Sequence, residues 1–282
     1  MDKKILVTNT ISDNVNQRQA EFYNDFETEV ALNLPSKLWR RFRRRIKSNL
    51  NITEQVSQLQ YNWIFDENPK TILEIGCYNG TEFTLNLIRD LPELHYTGID
   101  LSTSACETFR TKLNFYNLTN RTKIVDGDVL EHKFKNAHFD VVYMNGVLHH
   151  FPDINLTLNL ISEILKPNGC LITSDPMITN RLFRTFRSIY RPFQIDKDWE
   201  FPFEKDTFNK IMENFEIEVI QGFLGKGMYL SILASMPIFG KLFTNMSLRA
   251  NEYDKINATR LGPDLWRCNI VVQKLRKNND NI

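Results

Sequence analysis

Between residues 70 and 175, short apolar runs rich in β-branched residues alternate with helix-patterned stretches, and this alternation constrains the fold more than any other feature of the chain. The strand-like runs are TILEI (71–75), YTGID (96–100), KIVDG (123–127), FDVVYMN (139–145) and CLITSD (170–175). Helical patterns fill the gaps at about Thr81–Arg89, Thr103–Tyr116 and 154–165. Strands that alternate with crossover helices imply right-handed βαβ units and a parallel sheet covered on both faces, that is, an open, doubly wound α/β fold. Two later runs, FEIEVIQGF (215–223) and RCNIVVQKL (267–275), close the domain around a helical excursion at about 228–260.

Composition narrows the function classes. With 42% hydrophobic residues in 282, the chain can bury a full core. Its 35 Lys+Arg against 34 Asp+Glu argue against a generally basic nucleic-acid binder. The four cysteines (77, 106, 170, 268) are too few and scattered for a disulfide scaffold and lack metal-ligand spacing, so no metal site is expected. No signal-peptide pattern opens the chain, and the most apolar segment, Met228–Met246, is interrupted by Pro237, Gly240 and Lys241. The expectation is a cytoplasmic protein, with peripheral membrane contact left open.

Residues 1–68 lack strand patterns and read as a helical cover. The clearest helix follows Pro35-Ser36 and places Leu38, Phe42, Ile46 and Leu50 on one face, joined by Trp39. Lys37, Arg40, Arg41, Arg43, Arg44, Arg45 and Lys47 are read as its other face. Such a basic face over 37–47 suits an anionic membrane or a phosphate-bearing partner, or is a solvated surface.

Ligands of doubly wound sheets bind outside the carboxyl ends of the strands, so the residues there carry the functional reading. The first strand runs into Glu74-Ile75-Gly76-Cys77-Tyr78-Asn79-Gly80-Thr81, a turn suited to close backbone approach at a helix N-terminus. Asp100 closes the second strand twenty positions after Gly80, the spacing at which an acid accepts hydrogen bonds from ribose hydroxyls. Asp128, after the third strand, is placed to accept from an adenine amine, with Val129 and Leu101 as apolar walls. The fourth strand ends at Asn145, just before His149-His150. Four strand ends thus present polar groups suited to one adenosine-bearing ligand.

Here the sequence resembles the class I S-adenosylmethionine-dependent methyltransferases, in particular the type 11 group, through ILEIGCYNG, YTGIDLS, DGDVLE, FDVVYMNGVLHHFPD and ILKPNGCLITSDP in family order. The resemblance implies a Rossmann-like, mostly parallel seven-stranded sheet with an antiparallel last strand, and S-adenosylmethionine as cofactor. It implies that Glu74, Gly76 and Gly80, with Cys77 and Tyr78 in the same loop, surround the methionine part. Asp100 would meet the ribose, Asp128 the adenine edge between the apolar walls of Val129 and Leu101, and Asn145 the methyl donor. One departure is that Tyr78 stands where the family usually has a third glycine. The organisation expected is a helical cover over 1–68, a methyltransferase domain over 69–276 with lid insertions at about 176–210 and 228–262, and a disordered tail at 277–282.

Methyl transfer is an in-line displacement, so positioning does much of the work, and a hydroxyl acceptor also gains from a general base. His149 and His150 follow the donor-side strand and are the first candidates, with Asp175 at the end of the fifth strand next; a loop or core role is their bland alternative. In the insertion, Arg184, Arg187 and Arg191 share a helical face and, with Tyr190, Trp199 and Glu200, are the candidates to face the acceptor. Surface pairing of these arginines with Asp196, Asp198 and Glu200 is the competing reading. The function expected is methylation of a hydroxyl, or else an amine or carbon, on a small or lipid- or glycan-linked biosynthetic intermediate. The alternatives are an NAD(P)-dependent oxidoreductase on the same fold and a non-catalytic cofactor-binding or scaffolding module. Asn145-Gly146 does not continue into the N/D-P-P-Y/F pattern of amino-methylating nucleic-acid enzymes.

Overall fold

The computed structural model describes residues 15, 17–24, 34–193, 197–234 and 240–278. The readings placed on residues 1–14, 25–33 and 279–282, and on Asp196 and Pro237, lie outside the described residues, as do the side chains of Trp39, Phe186 and Tyr190.

Seven strands form one sheet in the order β3-β2-β1-β4-β5-β7-β6: β1 Thr71–Ile75, β2 His95–Asp100, β3 Thr122–Asp126, β4 Phe139–Asn145, β5 Leu165–Pro176, β6 Phe215–Phe223 and β7 Ile270–Lys277. The first five pair in parallel, and β7 inserts antiparallel between β5 and β6. The doubly wound sheet with an antiparallel last strand expected from the sequence is therefore what forms. The final strand starts later than the pattern suggested, because Leu265–Arg267 close a 3-10 turn with Cys268 N–H donating to Leu265 O.

Period-two alternation sends side chains of each inner strand to opposite faces. Leu73, Ile75, Val142 and Met144 meet Leu158 and Ile161 of α6 (Ile154–Ile164) and Phe208 and Ile211 of α8 (Lys205–Asn214). On the other face Ile72, Val141 and Tyr143 pack with Leu87 of α4 (Glu82–Asp90) and with Phe109 and Leu113 of α5 (Thr103–Phe115). Ile64 of α3 (Ile52–Glu67) joins that second layer.

The N-terminal elements cover the antiparallel side. Ile46 and Leu50, at the end of α2 (Leu34–Asn49), and Ile52 and Val56 of α3 pack on Val272 of β7 and on Met228 of α9 (Lys226–Ala234). α10 (Gly240–Asn257) backs α9, and its Asp254 carboxylate accepts the backbone N–H groups of Lys226 and Gly227 where α9 begins. An ion-pair cluster ties α3 to the sheet edge, with Glu67 bridging Lys274 and Arg276. The hydrogen bond from Arg276, above all, holds the Glu67 carboxyl down at about 2. The helical residues 17–24, here α1, and α7 (Arg181–Tyr190) lie over the carboxyl ends of the strands, where the candidate site sits.

Candidate active site

Three residues of the turn after β1 take left-handed backbone conformations: Gly76 (φ 78°), Tyr78 (φ 46°) and Gly80 (φ 70°). For the two glycines the reason is also steric. A Cβ on Gly76 would sit 2.4 Å from Val147 Cγ2, and one on Gly80 would sit 2.1 Å from the Phe109 ring. Tyr78 adopts the conformation that favours glycine at this position and does not block the turn. Its backbone N–H donates to Asp100 Oδ2 (2.8 Å), and its hydroxyl donates outward to the Tyr23 carbonyl of α1 (3.3 Å).

Glu74 lies behind the turn. It is buried, and its carboxylate accepts from the Tyr96 hydroxyl (2.6 Å) and the Thr84 hydroxyl (3.0 Å), so it shapes the loop through β2 and α4. Burial pushes its carboxyl up to about 7, against the pull of these two hydroxyls. Cys77 is likewise turned into the core, against Gly98.

Asp100 ends β2 with each oxygen holding one backbone amide: Oδ2 that of Tyr78, and Oδ1 that of Ser102 (2.9 Å). Each oxygen keeps a further lone pair. Burial raises its pKa, and the amides of Ser102, Tyr78 and Leu101 oppose that rise. Asp128 follows on the neighbouring strand end, its Oδ1 accepting the Leu130 N–H (2.9 Å), while Val129 is buried beside it. Asn24 of α1 closes over this end, its Oδ1 accepting from the hydroxyls of Ser102 (2.5 Å) and Ser104 (2.9 Å).

At the ends of β4 and β5 the paired histidines separate. His149 Nδ1 lies 2.9 Å from Asp175 Oδ1, and Thr173 Oγ1 donates to the other carboxylate oxygen. A carboxylate accepts, so Nδ1 carries the proton and Nε2 is the free acceptor. His150 instead donates from Nδ1 to the Trp199 carbonyl (2.7 Å) and receives the Tyr23 hydroxyl at Nε2 (3.2 Å). Burial, reinforced by His149, lowers its pKa to about 4. Both of its nitrogens are occupied and it holds α1 against the loop before α8; of the two, His149 is the one equipped to take a proton.

Beside this dyad a cavity of about 310 Å³ opens between the strand ends and helices α2, α7 and α9. Asn145, Gly146, His149 and Asp175 form its polar end. Phe42, Ile46, Phe183, Met228 and Ile232 supply apolar wall, and Arg43, Lys47, Arg187 and Glu200 line it with charge. Gly146 has φ 72° and nothing within 4 Å of where a Cβ would stand.

The lid arginines do not act together. Arg187 is buried and bonded to Glu200 (2.9 Å), the pairing that competed with a substrate role. Arg184 lies at the surface near Glu204 (3.5 Å), and Arg191 donates to the Lys197 carbonyl (3.3 Å). Neither lines this cavity. Trp199 is buried against Phe22 of α1, with ring centroids 5.7 Å apart.

Residues 73–171, which carry the glycine turn and both acidic strand ends, match the sequence profile of a methyltransferase domain family. They form a methyltransferase domain. A demethylmenaquinone methyltransferase of Staphylococcus aureus is 30% identical over 148 residues, 51% of this chain and 56% of that protein. A malonyl-[acyl-carrier protein] O-methyltransferase of Legionella pneumophila is 28% identical over 104 residues, 37% of this chain and 35% of that one. The chain thus spans about half, or less, of the length of these curated relatives. Among solved structures, the geranyl diphosphate C-methyltransferase of Streptomyces coelicolor superposes with a TM-score of 0.54 at 10% identity, covering 78% of this chain and 80% of that one. A StiE O-MT gives 0.54 at 14% identity, covering 80% and 74%. At such identities these two likenesses speak to the fold alone.

Several residues of the methyltransferase domain's surroundings escaped the sequence reading. Arg43 and Lys47 were placed with the outward basic face of α2, yet both line the cavity, Lys47 half-buried and Arg43 still exposed, while Lys37, Arg41, Arg44 and Arg45 are exposed and do not line it. The signal was present: each directly follows a buried-face residue, Phe42 or Ile46, so the two flank the apolar stripe. Tyr23 and Asn24 carry no motif at all. Among the described residues, no helix is long and apolar enough to cross a membrane.

Proposed function

We propose that this chain transfers the methyl group of S-adenosylmethionine to a hydroxyl of a small or lipid-linked acceptor held in the cavity beside His149. The observation that carries the reading is the His149–Asp175 pair lining a largely apolar cavity beside Asn145 and Gly146, at the carboxyl ends of adjacent strands.

The donor set at the neighbouring strand ends fits the cofactor. Asp100 retains lone pairs for ribose hydroxyls, Asp128 stands one strand further along for the adenine edge, and the turn from Gly76 to Gly80 brings backbone close to the site. Asn24 and Tyr78 would close over the bound nucleoside from the α1 side. When bound, S-adenosylmethionine supplies an electrophilic methyl group on a sulfonium sulfur. The chain's own residues do the rest. The cavity walls orient the acceptor and exclude water, so positioning supplies much of the acceleration. His149 Nε2 is placed to take the acceptor's hydroxyl proton, and Asp175 to stabilise the resulting imidazolium through Nδ1–H; the acceptor's new oxygen–carbon bond would replace the donor's carbon–sulfur bond, with the neutral thioether as leaving group. Arg187 and Glu200 neutralise one another at the wall and keep α7 closed over it.

Calorimetry with S-adenosylmethionine, S-adenosylhomocysteine and NAD tests the cofactor assignment, and transfer of a labelled methyl group to candidate hydroxyl acceptors tests the reaction. Binding of both sulfur nucleosides in preference to NAD is expected. Binding of NAD alone, or of none of the three, overturns the reading.

A further inference from the structure

α2 presents two cations to the cavity from one helical face, Arg43 and Lys47, four residues apart. Neither makes a hydrogen bond or an ion pair with any described residue. The remaining charges facing the cavity are already spoken for: Asp175 holds His149 and accepts from Thr173, and Glu200 holds Arg187. Lys47 is partly buried between Phe42, Ile46 and the apolar wall of α9. Burial, with Arg43 adding repulsion, lowers its pKa to about 8. An ammonium without a partner in an apolar wall is costly, and Glu200, the wall's carboxylate that Arg43 also attracts, is bonded to Arg187.

One further polar atom points the same way: Arg187, 6% exposed, lines the cavity, and its Nε–H has no partner among the described residues. The remainder of the wall is apolar: Ile46, Phe183, Leu224, Met228 and Ile232. The cavity therefore has a proton-accepting end at His149, a cationic wall at Lys47 and Arg43, and hydrocarbon around them.

We propose that the acceptor is an anionic amphiphile, with a carboxylate or phosphate group seated on Lys47 and Arg43 and its apolar body against Met228, Ile232 and Phe183. This rests on the methyltransferase reading of the same site and adds the acceptor's chemistry to it. Two charge-assisted contacts on one anion set both affinity and orientation, turning the group to be methylated toward His149. Lys37, Arg41, Arg44 and Arg45, which do not line the cavity, play no part in it.

The test is calorimetric titration of the full chain with decanoate, decyl phosphate and decanol, with and without S-adenosylhomocysteine. Wild type is expected to bind one or both acids at least about tenfold more tightly than decanol. Lys47→Met should abolish that preference and Lys47→Arg should retain it. The thermal midpoint of Lys47→Met should equal or exceed that of wild type, since a half-buried charge among apolar side chains is removed, which separates lost binding from lost folding. Decanol binding as tightly as the acids, an unaltered preference in Lys47→Met, or no binding of any of the three overturns the proposal. Co-sedimentation with phosphatidylglycerol vesicles separates a free acid from a membrane lipid as the source of the anion. Vesicle binding that survives Lys47→Met without binding of either acid also overturns it. Failure of S-adenosylhomocysteine to bind overturns the methyltransferase reading, while the titrations on the chain alone still decide this one.

Discussion

The carboxylate of Asp175 holds His149 twice: Oδ1 accepts the ring Nδ1–H at 2.9 Å and the backbone N–H of the same residue at 3.1 Å. Ring orientation and loop position are thus fixed by one oxygen, which leaves Nε2 without a hydrogen-bond partner among the described residues.

His149→Gln is expected to lower the rate of methyl transfer roughly 100-fold to 10,000-fold with little change in affinity for S-adenosylhomocysteine. Asp175→Asn should also cost at least about 100-fold, because the amide no longer enforces the Nδ1–H tautomer. Single-turnover transfer of a labelled methyl group measures both. Full activity in His149→Gln would remove the general base from the mechanism.

Glu74 and His150 impose opposite pH dependences on stability. The folded protein holds a proton on Glu74 up to about pH 7, whereas the unfolded chain releases it near the ordinary value of 4.5, so this residue makes stability fall as pH rises between them. His150 stays neutral in the fold down to about pH 4 but charges in the unfolded chain below its ordinary 6.5, so it makes stability rise with pH across that window. Each effect amounts to about 3 kcal/mol when complete, and from about pH 4.5 to 6.5 they cancel. Relative to wild type, Glu74→Gln should therefore gain stability from pH 5 to 8, and His150→Gln should gain it from pH 7 down to 4. Thermal midpoints of the three proteins across this range provide the measurement, and parallel curves would contradict the assignment.

Gly80 and Gly146 share a left-handed backbone but differ in surroundings. Gly80→Ala drives a methyl group into the buried Phe109 ring and should cost more than about 2 kcal/mol. Gly146→Ala meets open space and should cost only the conformational penalty of about 1 kcal/mol, while encroaching on the site and weakening ligand binding. Denaturant unfolding alongside calorimetry with S-adenosylhomocysteine separates the two.

Tyr78 ties the glycine turn to α1. Tyr78→Gly relieves a left-handed side chain, worth about 1 kcal/mol, and loses the hydroxyl bond and the ring contact with Tyr23, centroids 6.5 Å apart, worth about as much. Global stability should change little, whereas amide exchange in residues 17–24 should accelerate. Mass-spectrometric exchange rates unchanged from wild type would show that α1 is anchored elsewhere.

What was legible in the sequence depended on periodicity and on spacing along one chain. β-branched runs with helices between them, and acids one βα unit apart, are local or nearly local signals, so the sheet and the positions of Asp100 and Asp128 followed from them. The same local logic explains the misplacements. Glu74 reads as a strand-end acid, but Tyr96 and Thr84, from two other elements, draw its carboxylate into the core. Arg184, Arg187 and Arg191 share a helical face by spacing, yet Glu200 occupies Arg187 and the other two lie off the cavity.

The sequence by itself determined the fold class and the strand ends that carry the site, because side-chain alternation and turn chemistry act within a few residues. Tertiary structure alone decided which of two adjacent histidines presents an unpartnered ring nitrogen among the described residues, because that choice belongs to Asp175 in one case and to Trp199 and Tyr23 in the other. It also decided that Arg43 and Lys47 line the cavity. A helix's own pattern marks its apolar stripe, but only the packing of α7 and α9 against it encloses the space those cations enter.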